Sequence, residues 1–152
     1  MNLKREHDFT VTRTVKATVE EAYAAWTDPV LMRHWFGTVV EADVRVGGRY
    51  RVENHEQGQI FKHKGEYLVL EPGRRIVKTF IFDGEGFPDY AGEYSDEILT
   101  ITFRVVGPRL TEVTLVNAWN GKGMTAEERD KLGQGWGDWL DRYERGLARD
   151  FG

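Results

Sequence analysis

Acid–base chemistry in this chain would have to come from four histidines, His7, His34, His55 and His63, or from a carboxylate held inside the fold. No histidine stands in an HExxH or similar ligand spacing, so no metal site is expected. His55 and His63 fall on consecutive strands, where they either approach each other or face solvent. His34 precedes Trp35-Phe36 and would titrate at the mouth of a cavity. Ser95 is the only serine and lies outside any GxSxG elbow, which leaves a serine triad little to work with. Glu97 shares strand parity with Leu99, Ile101 and Phe103. A carboxyl aimed into an apolar interior has a raised pKa and serves as acid or base. Glu97 and His34 are thus the catalytic candidates, beside the alternative that both are ordinary solvated groups. Asn117 shares parity with Val113, Leu115 and Trp119. Facing inward, it needs either a ligand's polar group or a neighbouring side chain or water. Arg129 projects along the apolar side of a helix, in the first turn, where the helix dipole disfavours a cation. Its planar fork would suit a ligand carboxylate or a salt bridge.

Those groups need elements to hold them. Thr125 and Glu128 form a capping box that opens a helix running to Phe151. Leu132, Trp136, Trp139, Leu140, Tyr143, Leu147 and Phe151 share one sector of it, as an amphipathic helix requires. At 1.5 Å per residue it would span about 40 Å, the width of a domain of this size. Gly133, Gly135 and Gly137 interrupt it, each at a cost of about 1 kcal/mol relative to Ala. They read as a notch for a ligand or for close packing against other helices.

Upstream, Phe9 to Val15 alternates as a strand. Thr18 caps a short helix ended by Asp28-Pro29, and Val30 to Phe36 forms a second. Six strands follow: Val39 to Val46, Arg49 to Asn54, Ile60 to Leu70, Arg75 to Phe82, Glu97 to Val106 and Leu110 to Trp119. Most are joined by tight turns, at Gly47-Gly48, Gln57-Gly58-Gln59, Pro72-Gly73 and Gly107-Pro108-Arg109. The exception is the acidic stretch from Asp83 to Tyr94, a lid or a solvated loop. The order β-α-α-β-β-β-β-β-β-α predicts an α+β fold, an antiparallel meander whose apolar face the last helix must cover.

Composition sets the outer limits. One domain is expected for 152 residues. The net charge of −4, with acids and bases interspersed, argues against nucleic acid and against a polybasic membrane anchor. Without cysteine there is no disulfide, thiol nucleophile or thiolate metal site. No apolar run approaches a membrane span and the N-terminus carries no secretory h-region, so a cytoplasmic protein is expected, as monomer or homodimer. No feature calls for a cofactor.

The pieces VTRTVKATVEEAYAAWTDPVLMRHWF, GGRYRVE, HKGEYLVLEPGRRIV, LTEVTLVNAW and GQGWGDWLDRYERGL, in this order, cover nearly the whole chain. Together they resemble the START/Bet v 1-like (SRPBCC) superfamily, and within it the family homologous to the C-terminal domain of the Hsp90 ATPase activator. The resemblance implies a helix-grip fold: seven strands wrapped around the last helix, with two short helices after strand one and a cavity between sheet and helix. The superfamily's roles range over lipid and hydrophobic-ligand binding, polyketide cyclisation, stress response and co-chaperone work, so fold does not choose among them. The activator's separate N-terminal domain has no counterpart here, which argues against Hsp90 activation. The leading expectation is a small hydrophobic ligand, aromatic or lipid-like, lined by Trp35, Phe36, Tyr50, Phe80, Leu99, Asn117, Trp119, Arg129, Gly133, Trp136, Leu140 and Tyr143. The alternatives are a cyclase, dehydratase or hydrolase using the same cavity, and a module that binds a chaperone or another protein.

Overall fold

The computed structural model describes residues 2–56, 59–82 and 96–152. The lid or solvated loop expected between Asp83 and Tyr94, Ser95, and the turn at 57–58 lie outside the described residues.

The N-terminal strand is β1 (His7–Val15). Thr18 then opens α1 (Val19–Thr27) with a reciprocal capping box to Glu21. Asp28 ends α1 and caps α2 (Pro29–Met32), where Pro29 takes the first turn at no hydrogen-bond cost. This second helix is shorter than expected; His34 to Phe36 continue it only as turns. The remaining strands are β2 (Val39–Ala42), β3 (Arg49–Glu56), β4 (Gln59–Glu71), β5 (Arg75–Thr79), β6 (Ile81–Phe82), β7 (Ile98–Gly107) and β8 (Leu110–Trp119). The last element is α3 (Ala126–Phe151), capped by the Thr125–Glu128 box.

The sheet is antiparallel and open, in the order β1-β8-β7-β5-β4-β3-β2, with β6 also pairing to β4. The meander expected from β2 to β8 is present, and β1 adds to β8 with His7 opposite Trp119. The strand expected over Arg75–Phe82 breaks at Phe80. Here the β4–β5 ladder shifts register between Tyr67 and Val69, and such irregularities bend a sheet. Thr79 fills the gap: its hydroxyl accepts the Glu66 N–H at 2.8 Å, and its carbonyl accepts the Tyr50 hydroxyl at 2.6 Å. Only glycine fits at position 65, because a Cβ there would lie 2.0 Å from the Thr79 carbonyl oxygen.

One face of the sheet and α3 enclose the core. Val15, Val52, Ile76, Leu99, Ile101, Val113 and Leu115 come from the sheet, and Trp136, Leu140, Tyr143 and Leu147 from the helix. Trp26, Trp35 and Phe36 close one end. Trp35 stacks on Phe36 at 4.8 Å and meets Trp26 at 4.6 Å and Tyr143 at 4.9 Å. At this aromatic end Trp35 Nε1 donates to the Ala25 carbonyl and Tyr143 Oη to the Ala22 carbonyl, while Trp26 Nε1 has no hydrogen-bond partner among the described residues.

The helix glycines divide differently from the expected notch. A Cβ on Gly133 would meet the Phe9 ring at 3.3 Å, while Gly135 and Gly137 face open space. The close approach to the small helices occurs one turn before the end of α3, where Gly146 lies against Trp35.

Candidate functional site

Alternation along three strands carries polar side chains into the apolar interior. Glu97, just before β7, and Asn117 on β8 both turn inward and are buried. Asn117 Nδ2 donates to Glu97 Oε2 at 2.7 Å, and Trp136 Nε1 on α3 donates to Asn117 Oδ1 at 3.2 Å. The sheet and the helix are thereby joined by a hydrogen-bonded chain. Burial pushes the Glu97 carboxyl up to about 7; the Asn117 hydrogen bond pulls the other way, and the charge of Asp96 adds to the rise.

A second polar group lies on β5. Lys78 shares parity with Ile76 and Phe80 and is fully buried. Tyr67 and Leu99 are its partners on the neighbouring strands. Its Nζ stands 4.4 Å from the ring centre of Tyr50, 4.7 Å from Phe36 and 5.3 Å from Trp26. These are cation–π distances. Nζ has no hydrogen-bond partner among the described residues. Burial brings the amine down to about 7. His63, on β4, packs between Phe36 at 4.8 Å, Phe80 at 4.9 Å and Trp139 at 5.2 Å. Burial, with the nearby Lys78 charge, lowers the imidazole to about 3, so it is neutral at physiological pH. The phenols of Tyr50 and Tyr67 are raised, chiefly by burial.

The residues expected to line a cavity separate into two groups. Phe36, Tyr50, Phe80, Leu99, Asn117, Trp136, Leu140 and Tyr143 meet in the interior, and Trp35 is buried at its aromatic end. The others lie elsewhere. Trp119 is buried outside the main core cluster and donates to the Lys122 carbonyl. Gly133 receives Phe9. Arg129 is exposed; its guanidinium donates to the Asp8 carbonyl and lies 5.7 Å from the Phe9 ring centre. The oddity of a cation in the first turn is thus resolved by β1 rather than by the interior.

Of the two catalytic candidates, Glu97 reaches the interior and His34 does not. His34 Nδ1 lies 2.8 Å from Asp150 Oδ2, tying the turns after α2 to the end of α3. His55 and His63 neither approach each other nor face solvent as a pair. Position 63 pairs with inward Val52, whereas His55 is exposed beside Glu53. Lys78 and Tyr67 stand outside the candidates the sequence offers, although alternation places Lys78 with Ile76 and Phe80. Among the described residues, no group of three or more His, Asp or Glu side chains comes together to hold a metal. Among the described residues no helix is long and apolar enough to cross a membrane.

On the outward side, a depression of about 580 Å³ opens around Gly65, with Glu41, Asp43, Arg49, Arg51 and Lys64 on its rim. It also touches Tyr50 and Thr79.

An open antiparallel sheet folded over one long helix, with polar groups enclosed between them, defines a helix-grip domain of the START/Bet v 1-like class. Within that class the chain belongs to the activator of Hsp90 ATPase homolog 1-like protein family, whose model matches residues 16–147. Among solved structures it is similar to protein CV1439 from Chromobacterium violaceum, with 27% identity and a TM-score of 0.71, covering 91% of this chain and 95% of that one. It is also similar to DynU16, a protein of the dynemicin biosynthetic locus, at 28% identity and a TM-score of 0.71. That match covers 93% of this chain but 47% of DynU16, so the chain spans about half its length. The Aha1 dimer from Colwellia psychrerythraea shares the fold at 15% identity and a TM-score of 0.71, covering 96% and 99% of the two chains. No curated protein matches the sequence.

Proposed function

We propose that this protein binds a small apolar molecule, aromatic or lipid-like, between the inner face of the sheet and α3. The observation that carries this reading is Lys78. A fully buried amine with no hydrogen-bond partner among the described residues costs a fold several kcal/mol, and an apolar residue of the same size would avoid that cost. Its presence among Tyr50, Phe36 and Trp26 makes better sense as recognition than as packing. The description of DynU16 as a protein of a biosynthetic locus is in keeping with a small-molecule role. Apolar burial would supply most of the affinity. About 250 Å² of ligand surface contributes roughly 6 kcal/mol, and Asn117, Glu97 and Lys78 would fix orientation.

Titration with the neutral probe N-phenyl-1-naphthylamine tests this directly. Saturable binding at one site per chain, lost when Leu140 is replaced by a bulky Trp, is the expected outcome. A linear, unsaturable response would sink the proposal.

A second reading rests on Glu97. A carboxyl held near neutrality inside an apolar interior is suited to general acid–base work, so the same binding region would serve a cyclase, dehydratase or hydrolase. In that case Glu97→Gln keeps ligand binding and abolishes turnover of the bound molecule.

A further inference from the structure

We infer that the interior ligand is an acid, a small apolar carboxylate, and that Lys78 is the group that receives its charged end. This rests on the ligand-binding reading above and names the ligand's class.

The argument begins with what surrounds the amine. An ammonium carries three N–H donors. The rings of Tyr50, Phe36 and Trp26 offer it faces at 4.4 to 5.3 Å, which favour a positive charge but accept no strong hydrogen bond. The described elements around the cage contribute the following groups. From β3 comes Tyr50, whose hydroxyl is committed to the Thr79 carbonyl. From β4 come Tyr67 and His63, and both are neutral near pH 7. Ahead of β7 stands Glu97, whose Oε2 is held by Asn117. From α1 and the turns after α2 come Trp26 and Phe36. From α3 comes Tyr143, which packs on Trp26 at 5.6 Å and donates to Ala22. The site therefore has a cation-favouring box and unused donors, and it lacks a bonded counter-ion. A carboxylate supplies both the acceptors and the charge, and low surrounding polarity strengthens that attraction. The same rings accept the apolar remainder of the molecule. An alcohol or an ester of the same shape would offer acceptors without the charge.

Protonation makes the site sensitive to pH. Burial lowers the free amine to about 7, whereas a bound carboxylate favours the ammonium. Acid binding then takes up a proton above neutrality and weakens about tenfold per pH unit. Glu97 titrates over the same range, and its charge repels the acid, so its share has the same sign.

The test uses the full chain with N-phenyl-1-naphthylamine as the neutral reporter. Naphthalene-2-carboxylate and naphthalene-2-methanol compete for it as a matched pair, and dodecanoate and dodecanol as a second. At pH 7 the wild type is expected to prefer each acid at least 30-fold over its alcohol. That preference should fall at least tenfold by pH 9. Lys78→Met should reduce the preference to about onefold; Lys78→Gln serves if the Met variant does not fold. Equal affinity for acid and alcohol in the wild type, with the reporter still bound, would overturn this inference and leave the apolar-ligand reading standing. So would an acid preference that survives in both Lys78 variants. Absence of saturable binding by reporter, acids and alcohols alike would remove both.

Discussion

Two charged side chains lie in the same interior and are treated in opposite ways. Glu97 is enclosed by protein partners: Asn117 donates to it, and Trp136 locks Asn117 from the helix side. The Lys78 amine lies over three aromatic rings and bonds to none of the described residues. The first arrangement is a strut between β8 and α3, in which one Glu97 oxygen is bonded through Asn117 to Trp136. The second offers hydrogen-bond donors and has no acceptor for them among the described residues. A buried polar group bonded across two elements helps to specify a fold, whereas one left short of acceptors is the better place to look for recognition.

Their pH responses should separate them most sharply. Lys78 is lowered from 10.5 to about 7, so between those values the folded state holds fewer protons than the unfolded chain. Stability should therefore rise with pH over this window, by up to about 4 kcal/mol between pH 7 and 10. Lys78→Met should flatten this limb and stabilise the protein by about 2 kcal/mol at pH 7, as read from urea unfolding. A variant that is less stable than wild type at pH 7 and keeps the alkaline rise would break the contrast.

Glu97 has the other sign. Its carboxyl is raised from 4.5 to about 7, so the folded state holds more protons there, and stability falls as pH climbs through that range. His63, lowered from 6.5 to about 3, opposes it with a rise between those values. Removing the strut is cleaner than following either titration alone. Asn117→Leu strands both Glu97 and Trp136 Nε1 and should cost about 3 kcal/mol. A loss below roughly 0.5 kcal/mol would mean that the chain from β8 to α3 carries no structural role.

A smaller effect sharpens the cage side. Tyr50→Phe removes the hydroxyl bonded to Thr79 but keeps the ring face over Lys78. About 1 kcal/mol of stability should be lost, with the acid preference unchanged. If the acid preference falls with the hydroxyl, then Tyr50 contacts the ligand through its oxygen rather than through its ring.

Much of this fold was legible before any coordinates. Thr18 and Thr125 announce their helices because a capping box is a local device, complete within four residues. Parity alone turned Glu97, Leu99 and Asn117 inward, because alternation is a property of a single strand. The break at Phe80 was not legible. It depends on Gly65 coming against Thr79 across two strands, and no local pattern encodes that approach. Lys78 was legible and overlooked: its parity with Ile76 and Phe80 pointed inward, but a lysine reads as a surface residue by default. Arg129 and Gly133 failed for the opposite reason. Their place on the helix wheel was read correctly, but the neighbour they meet is β1, through Asp8 and Phe9. A wheel shows which way a residue points and does not name what it meets.

Indole N–H signals of the isotope-labelled protein, followed by NMR while naphthalene-2-carboxylate is added, test the central claim most directly. Five tryptophans sample the molecule. Trp26 belongs to the Lys78 cage, Trp136 to the Glu97 strut, and Trp119 lies outside the main core cluster. Binding between sheet and helix predicts that the Trp26 and Trp136 signals move together and saturate at one equivalent, while Trp119 stays in place. Signals that do not move at saturating ligand, or that move only at Trp119, would contradict it.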